Sequence, residues 1–105
     1  MSLMQLKAGA NDNLVTLALK DLAGDAIENA TVEVVIKTLG VGVELSGQTW
    51  PVNMPHTTDG VYSVVLESLG LTVGRVYRVQ VTAYTPGGSE LQYNSNALAV
   101  RKDAP

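Results

Sequence analysis

Residues 71–83 constrain the fold more tightly than any other part of this chain. After Leu71 and a turn offered by Gly74, the side chains of Tyr77, Val79, Val81 and Ala83 fall on one side of an extended strand. Arg78, Gln80, Thr82 and Tyr84 fall on the other. That two-residue alternation belongs to a sheet with one dry face and one wet face. A leucine, a glycine turn and a tyrosine opening such a strand are the parts with which a β-sandwich locks one corner. The Tyr77 hydroxyl is accordingly expected to cap a backbone group at that corner.

The same pattern recurs along the chain in short blocks separated by turn residues, and no amphipathic helix interrupts it. Residues 13–20 place Val15, Leu17 and Leu19 on one face, and the turn that follows uses Asp21, Gly24 and Asp25. Residues 31–38 direct Val32, Val34 and Ile36 inward and Glu33 and Lys37 outward, with Val35 an apolar intruder on the outer side. Residues 43–46 are read as a short edge strand. Residues 48–56 alternate Trp50, Val52 and Met54 against Pro51 and Pro55. Proline cannot donate to a ladder, so this segment is expected to be a single edge strand. Asp59-Gly60 predicts a tight turn into residues 61–66, with Tyr62, Val64 and Leu66 inward. After Pro86-Gly87-Gly88, residues 91–93 and 97–101 are expected to form a final, broken strand. About seven strands at hairpin-like spacing predict an all-β, two-sheet antiparallel sandwich.

Size and composition agree with that architecture. At 105 residues the chain is long enough for one domain, and with 46% apolar and 16% charged residues it is a folding sequence. It has no cysteine, which excludes disulfides and thiolate metal sites. The net charge is −3 with lysines and arginines scattered singly, which argues against a nucleic-acid partner. The N-terminal residues lack a basic segment followed by a long apolar run, so neither a signal peptide nor a membrane partner is expected. The boundaries read as an N-terminal arm over 1–10, a sandwich over 11–101 and a C-terminal tail over 102–105.

Two stretches carry a family resemblance. Residues 15–32, with Asp21-Leu22-Ala23-Gly24 and Asn29-Ala30-Thr31-Val32, resemble the opening of bacterial Ig-like and carboxypeptidase-regulatory-like domains. Gly60-Val61-Tyr62 and residues 71–83 are similar to later strands of fibronectin type III domains. The order of Thr49-Trp50-Pro51-Val52, Gly60-Val61-Tyr62, Gly74-Arg75-Val76-Tyr77 and Ala97-Leu98-Ala99-Val100-Arg101 also resembles small Ig-like proteins of tailed-phage virions. That resemblance implies an Ig-like sandwich acting as a virion structural subunit, in capsid decoration, connector or tail. It would be made in a host cytoplasm, with other virion proteins, or further copies of itself, as partners. The alternative from another class is an Ig-like ligand-binding, carbohydrate-binding or adhesin module, placed at a cell surface if a leader was removed.

Chemistry-bearing residues are sparse. His56 is the single histidine, with no cysteine partner, and Ser63 lies in a predicted strand without a nucleophile-elbow context. The expectation is therefore no enzyme, no catalytic residue, no cofactor and no metal site. Asp21 and Asp25 supply too few oxygens for calcium and read as a turn. Asn29-Ala30-Thr31 fits the glycosylation pattern, but Asn29 reads as a turn residue in a chain without a leader. Trp50 reads as a core anchor rather than a binding platform, since it alternates in phase with Val52 and Met54. What remains is a set of candidate contact residues. Leu3, Met4 and Leu6 lie in the N-terminal arm. Leu39, Val41, Val43 and Leu45 lie in and around an apolar, glycine-rich loop. Tyr84 and Tyr93 are placed to form a small aromatic patch.

Overall fold

The computed structural model describes residues 4–10, 12–67 and 69–103. It is an all-β, two-sheet sandwich. The strands are β1 (Met4–Ala8), β2 (Asn13–Ala18), β3 (Thr31–Thr38), β4 (Val52–Asn53), β5 (His56–Thr58), β6 (Val61–Leu66), β7 (Val76–Tyr84) and β8 (Glu90–Arg101). One sheet has the order β1-β8-β7-β3-β4 and the other β2-β6-β5. All pairings are antiparallel except β1 with β8, which run parallel from Met4 opposite Ala97 to Ala8 opposite Arg101.

The alternation read from the sequence fixes what lies between the sheets. Val15 and Leu19, Val32, Val34 and Ile36, Tyr62 and Leu66, and Tyr77, Val79, Val81 and Ala83 are all buried in one core. Removing each such aliphatic or aromatic side chain from water contributes about 1.5–3 kcal/mol, which drives the two faces together. Trp50 packs half-buried against this core, its indole N–H donating to the Leu45 carbonyl, as a core anchor does.

The predicted corner is present. Tyr77 is buried, and its hydroxyl accepts the Thr72 backbone N–H at 2.8 Å. Tyr77→Phe keeps the ring and removes only this acceptor, so it should destabilise by about 1 kcal/mol in urea unfolding. An unchanged midpoint would mean that the corner bond contributes nothing. A second tyrosine does the same at another place, unforeseen from sequence. The buried Tyr62 hydroxyl donates to the Ile27 carbonyl at 2.7 Å and accepts the Ala30 N–H at 3.1 Å. The 5% exposed Asn13 is a third tie, also unforeseen. Its side chain accepts from Lys7 N–H at 2.7 Å and donates to the Lys7 carbonyl at 3.0 Å. It thereby joins β1 of the larger sheet to the start of β2 in the smaller.

Three local expectations are corrected. Residues 48–56 are not one edge strand. Val52–Asn53 pairs with β3, and the Met54 N–H donates to the Val32 carbonyl at 2.7 Å, while His56–Thr58 pairs with β6. The chain changes sheets at Pro55, which has no N–H for either ladder but whose carbonyl accepts from Ser63 N–H at 3.1 Å. The short edge strand over 43–46 reduces to a single bridge between Lys37 and Glu44. The final strand is unbroken, because one continuous β8 serves two neighbours. It pairs with β7 through Glu90 to Leu98 and with β1 through Ala97 to Arg101. Its polar middle breaks the hydrophobic rhythm without breaking the backbone ladder. The Asp21 turn is as expected, with the Asp21 carboxylate accepting the N–H groups of Ala23 and Asp25, each at 2.9 Å.

Candidate functional site

The outer face of the larger sheet is set by the registers of β3, β7 and β8. Across it run four rows: Thr31, Tyr84 and Glu90; Glu33, Thr82 and Gln92; Val35, Gln80 and Asn94; and Lys37, Arg78 and Asn96. Because side chains alternate between faces, the inward partners of these strands build the core and leave this polar grid outside. The grid is polarised. Glu33 and Glu90 flank Tyr84 at one end. Partial removal from water, reinforced by the Glu90 and Glu33 carboxylates, holds the Tyr84 phenol above its ordinary value. Lys37 and Arg78 stand side by side at the other end, with the amides of Gln80, Gln92 and Asn94 between.

At the cationic end the β3 strand runs out into the loop of residues 39–43. This loop is shaped by three hydrogen bonds, two between backbone groups and one to a side chain. Gly42 N–H donates to the Thr38 carbonyl at 3.0 Å, Thr38 N–H to the Val43 carbonyl at 2.8 Å, and Val43 N–H to the Thr38 hydroxyl at 3.1 Å. The loop thus closes on Thr38 and turns its own side chains to water. Leu39 is 42% exposed, Val41 80% and Val43 58%. Two concavities meet at this loop. One, about 360 Å³, is polar and is lined by Lys37, Arg78, Gln80, Gln92 and Asn94 beneath Val41. The other, about 570 Å³, is largely apolar and is lined by Leu39, Val41, Val43 and Val76, with Arg75 at its side. Three of the chain's seven basic residues therefore border this one loop.

The sequence-predicted contact residues divide. Leu39, Val41 and Val43 lie together on the surface as expected. Leu45, expected with them, is 6% exposed and belongs to the core, because its N–H pairs with the Ile36 carbonyl and turns the side chain inward. Leu6 is likewise no docking residue of a free arm. It is 1% exposed, because β1 is a strand of the larger sheet and directs it into the sandwich. Met4 opens that strand opposite Ala97, and Leu3 lies outside the described residues. Residues 104–105 of the tail also lie outside them, and Arg101 pairs with Asp103 at 3.7 Å on the surface. Tyr84 and Tyr93 are both exposed but form no common patch. Tyr84 stands opposite Glu90 and Tyr93 opposite the buried Val81, so the two rings project from opposite faces.

The remaining chemical candidates have structural roles. His56 Nε2 accepts the Gly60 N–H at 3.2 Å and its ring tilts against Tyr62, with centroids 5.2 Å apart. It caps the turn between β5 and β6. Ser63 lies within β6. Among the described residues no three histidine, cysteine, aspartate or glutamate side chains gather as metal ligands. Among the described residues no helix is long and apolar enough to cross a membrane.

No protein-family model and no curated protein sequence matches this chain. Among solved structures, it is similar to CopC from Methylosinus trichosporium OB3b, with a TM-score of 0.55 over 100% of this chain and 90% of that one. The two are 14% identical, a likeness of fold alone. That comparison also corrects the expectation of a virion subunit. The chain follows over its whole length a solved structure, CopC, that is not a capsid or tail protein, and the phage-like order of Trp-Pro-Val and Gly-x-Tyr segments finds no support in that likeness beyond the sandwich itself.

Proposed function

We propose that this domain is a non-catalytic binding module whose ligand is a protein surface, engaged through the loop of residues 39–43 and the concavities beside it. One observation carries the reading. Leu39, Val41 and Val43 are held in water by a loop tied back to Thr38 through three hydrogen bonds, between two hollows that no other described residue fills. Exposed apolar side chains grouped beside a concave surface mark contact sites. Isolated ones carry no such meaning. No aromatic ring lines the polar hollow, the Tyr77 ring beside the apolar one is buried, and Tyr84 lies at the opposite end of the sheet, so the described residues of this surface offer no exposed ring on which a neutral sugar would rest.

A selection from a random peptide library tests this. Peptides enriched on the native domain should lose at least tenfold in affinity on Val41→Ser. Enriched peptides that bind the variant equally well, or no enrichment, would remove the loop as a binding surface. The same variant makes a separate stability prediction. Since Val41 is 80% exposed, Val41→Ser should unfold within about 0.5 kcal/mol of the parent in urea. A loss above about 1 kcal/mol would mean that the loop is a cover for the end of the sandwich.

A further inference from the structure

Lys37 and Arg78 lie 41 positions apart in sequence, and the pairing of β3 with β7 sets them directly opposite each other on the outer face. Like charges in that relation repel and destabilise a sheet. Among the described residues neither forms an ion pair. Glu44, bridged to Lys37 across the other edge of β3, is an acidic neighbour of Lys37 alone on that face, and the one ion pair is Arg101 with Asp103. The chain as a whole is acidic, at −3, yet two cations are set side by side in the floor of a hollow. Around them stand Gln80, Gln92 and Asn94, whose amides donate to oxygen as readily as they accept. The neighbouring hollow is apolar and shares Val41 with the first. The surface is therefore two-part, a polar hollow floored by two cations beside a greasy step.

Resting on the binding reading above, we infer that the partner presents an acidic segment, with Asp or Glu carboxylates seated between Lys37 and Arg78 and a flanking aliphatic side chain against Leu39 and Val43. The carboxylate relieves the repulsion that the free domain carries, so the bond is strongest where the free sheet is least comfortable. Arg forks around a carboxylate in a way that the amides then extend. An acidic saccharide satisfies the charges and leaves the apolar step empty, which is why a polypeptide is the better occupant.

The probe is a terminally blocked peptide with two adjacent glutamates flanked by leucines, titrated into the isotope-labelled domain and followed by amide shifts. The expected result is saturable movement at Thr38, Arg78, Gln80 and Asn94. Affinity should fall at least tenfold when glutamine replaces glutamate in the peptide, and at least tenfold for the K37Q/R78Q double variant. Raising the salt should weaken binding as well. Arg78→Gln alone should raise Tm by a few degrees, because it removes the repulsion. Equal affinity for the two peptides would overturn the acidic selectivity. So would a fall in Tm for Arg78→Gln, or occupation of the hollow by polygalacturonate in preference to the peptide. The library result with Val41→Ser is independent of these outcomes, so the loop can survive as a binding surface if the charge assignment fails.

Discussion

Gly60→Ala should destabilise the domain by about 3 kcal/mol, a large loss for a single added methyl group. Two costs combine. Gly60 has φ of +75°, a backbone conformation that costs an ordinary residue about 1–2 kcal/mol. Its position also leaves no room, since an added Cβ would stand 2.7 Å from the Leu19 carbonyl oxygen and 3.0 Å from the Ala26 Cβ. That oxygen is not free to retreat. It accepts the Ile27 N–H at 3.1 Å, while Leu19 N–H donates to Gly60's own carbonyl at 2.9 Å. Moving it would break the Ile27 bond that closes the link between β2 and β3 on itself, and would strain the Leu19–Gly60 bond that fastens this link to the turn between β5 and β6. Gly24→Ala supplies the control, because φ there is +87° with nothing within 4 Å of the added Cβ. That change should cost about 1 kcal/mol, the backbone term by itself. For a domain of this size the Gly60 variant should melt about 15 °C lower. Equal losses for the two variants in urea unfolding would show that the close approach at Leu19 is not a fixed feature of the fold.

Much of this architecture is legible in the sequence, because period-two alternation reports which side of a strand is dry. It places Val15, Val34, Tyr62 and Val79 in the core without any knowledge of which strands are neighbours. For the same reason it is silent on pairing. Trp50, Val52 and Met54 keep one phase of alternation straight through a segment that leaves one sheet for the other at Pro55, and the phase carries no mark of the change. Leu6 and Leu45 show the converse. Both lie in segments flanking the strongest strands, where apolar side chains look like spare contact surface. Both are claimed by the core, through the parallel ladder of β1 and the Leu45 to Ile36 bond respectively. Residue type alone does not distinguish an apolar side chain that fills a sandwich from one that fills a partner.

The candidate site was half visible on the same terms. Leu39, Val41 and Val43 stand out locally as apolar residues among glycines. Lys37 and Arg78 become neighbours only through the β3–β7 register, and a one-residue slip would send one to the core face. The failed pairing of Tyr84 with Tyr93 has the same origin. They are nine positions apart around a hairpin, and the register that sets Tyr84 opposite Glu90 settles their faces as opposite. The functional reading therefore rests on long-range pairing more than on any local motif. Its cations, amides and apolar loop come from β3, β7, β8 and the loop after β3.

Tyr62→Phe should cost about 2 kcal/mol, twice the loss at the Tyr77 corner, and the reason is a count of stranded groups. The Tyr77 hydroxyl serves one partner, the N–H of the exposed Thr72, which water can reach when the hydroxyl is gone. The Tyr62 hydroxyl serves two, the Ile27 carbonyl and the Ala30 N–H, and both residues are half-buried against the core. Without it, the link from β2 to β3 loses the tie that holds residues 27–30 against β6, while the ring itself stays packed. Melting should fall by about 10 °C. Amide exchange should quicken at Ala30 more than at the β3 residues beyond it, because the opening is local to the link. In the double variant with Tyr77→Phe the two losses should add to about 3 kcal/mol, since the hydroxyls have no partner in common. A loss below about 0.5 kcal/mol for Tyr62→Phe would mean that water replaces the hydroxyl at no cost, and that the link is held by the turn at Gly60 alone.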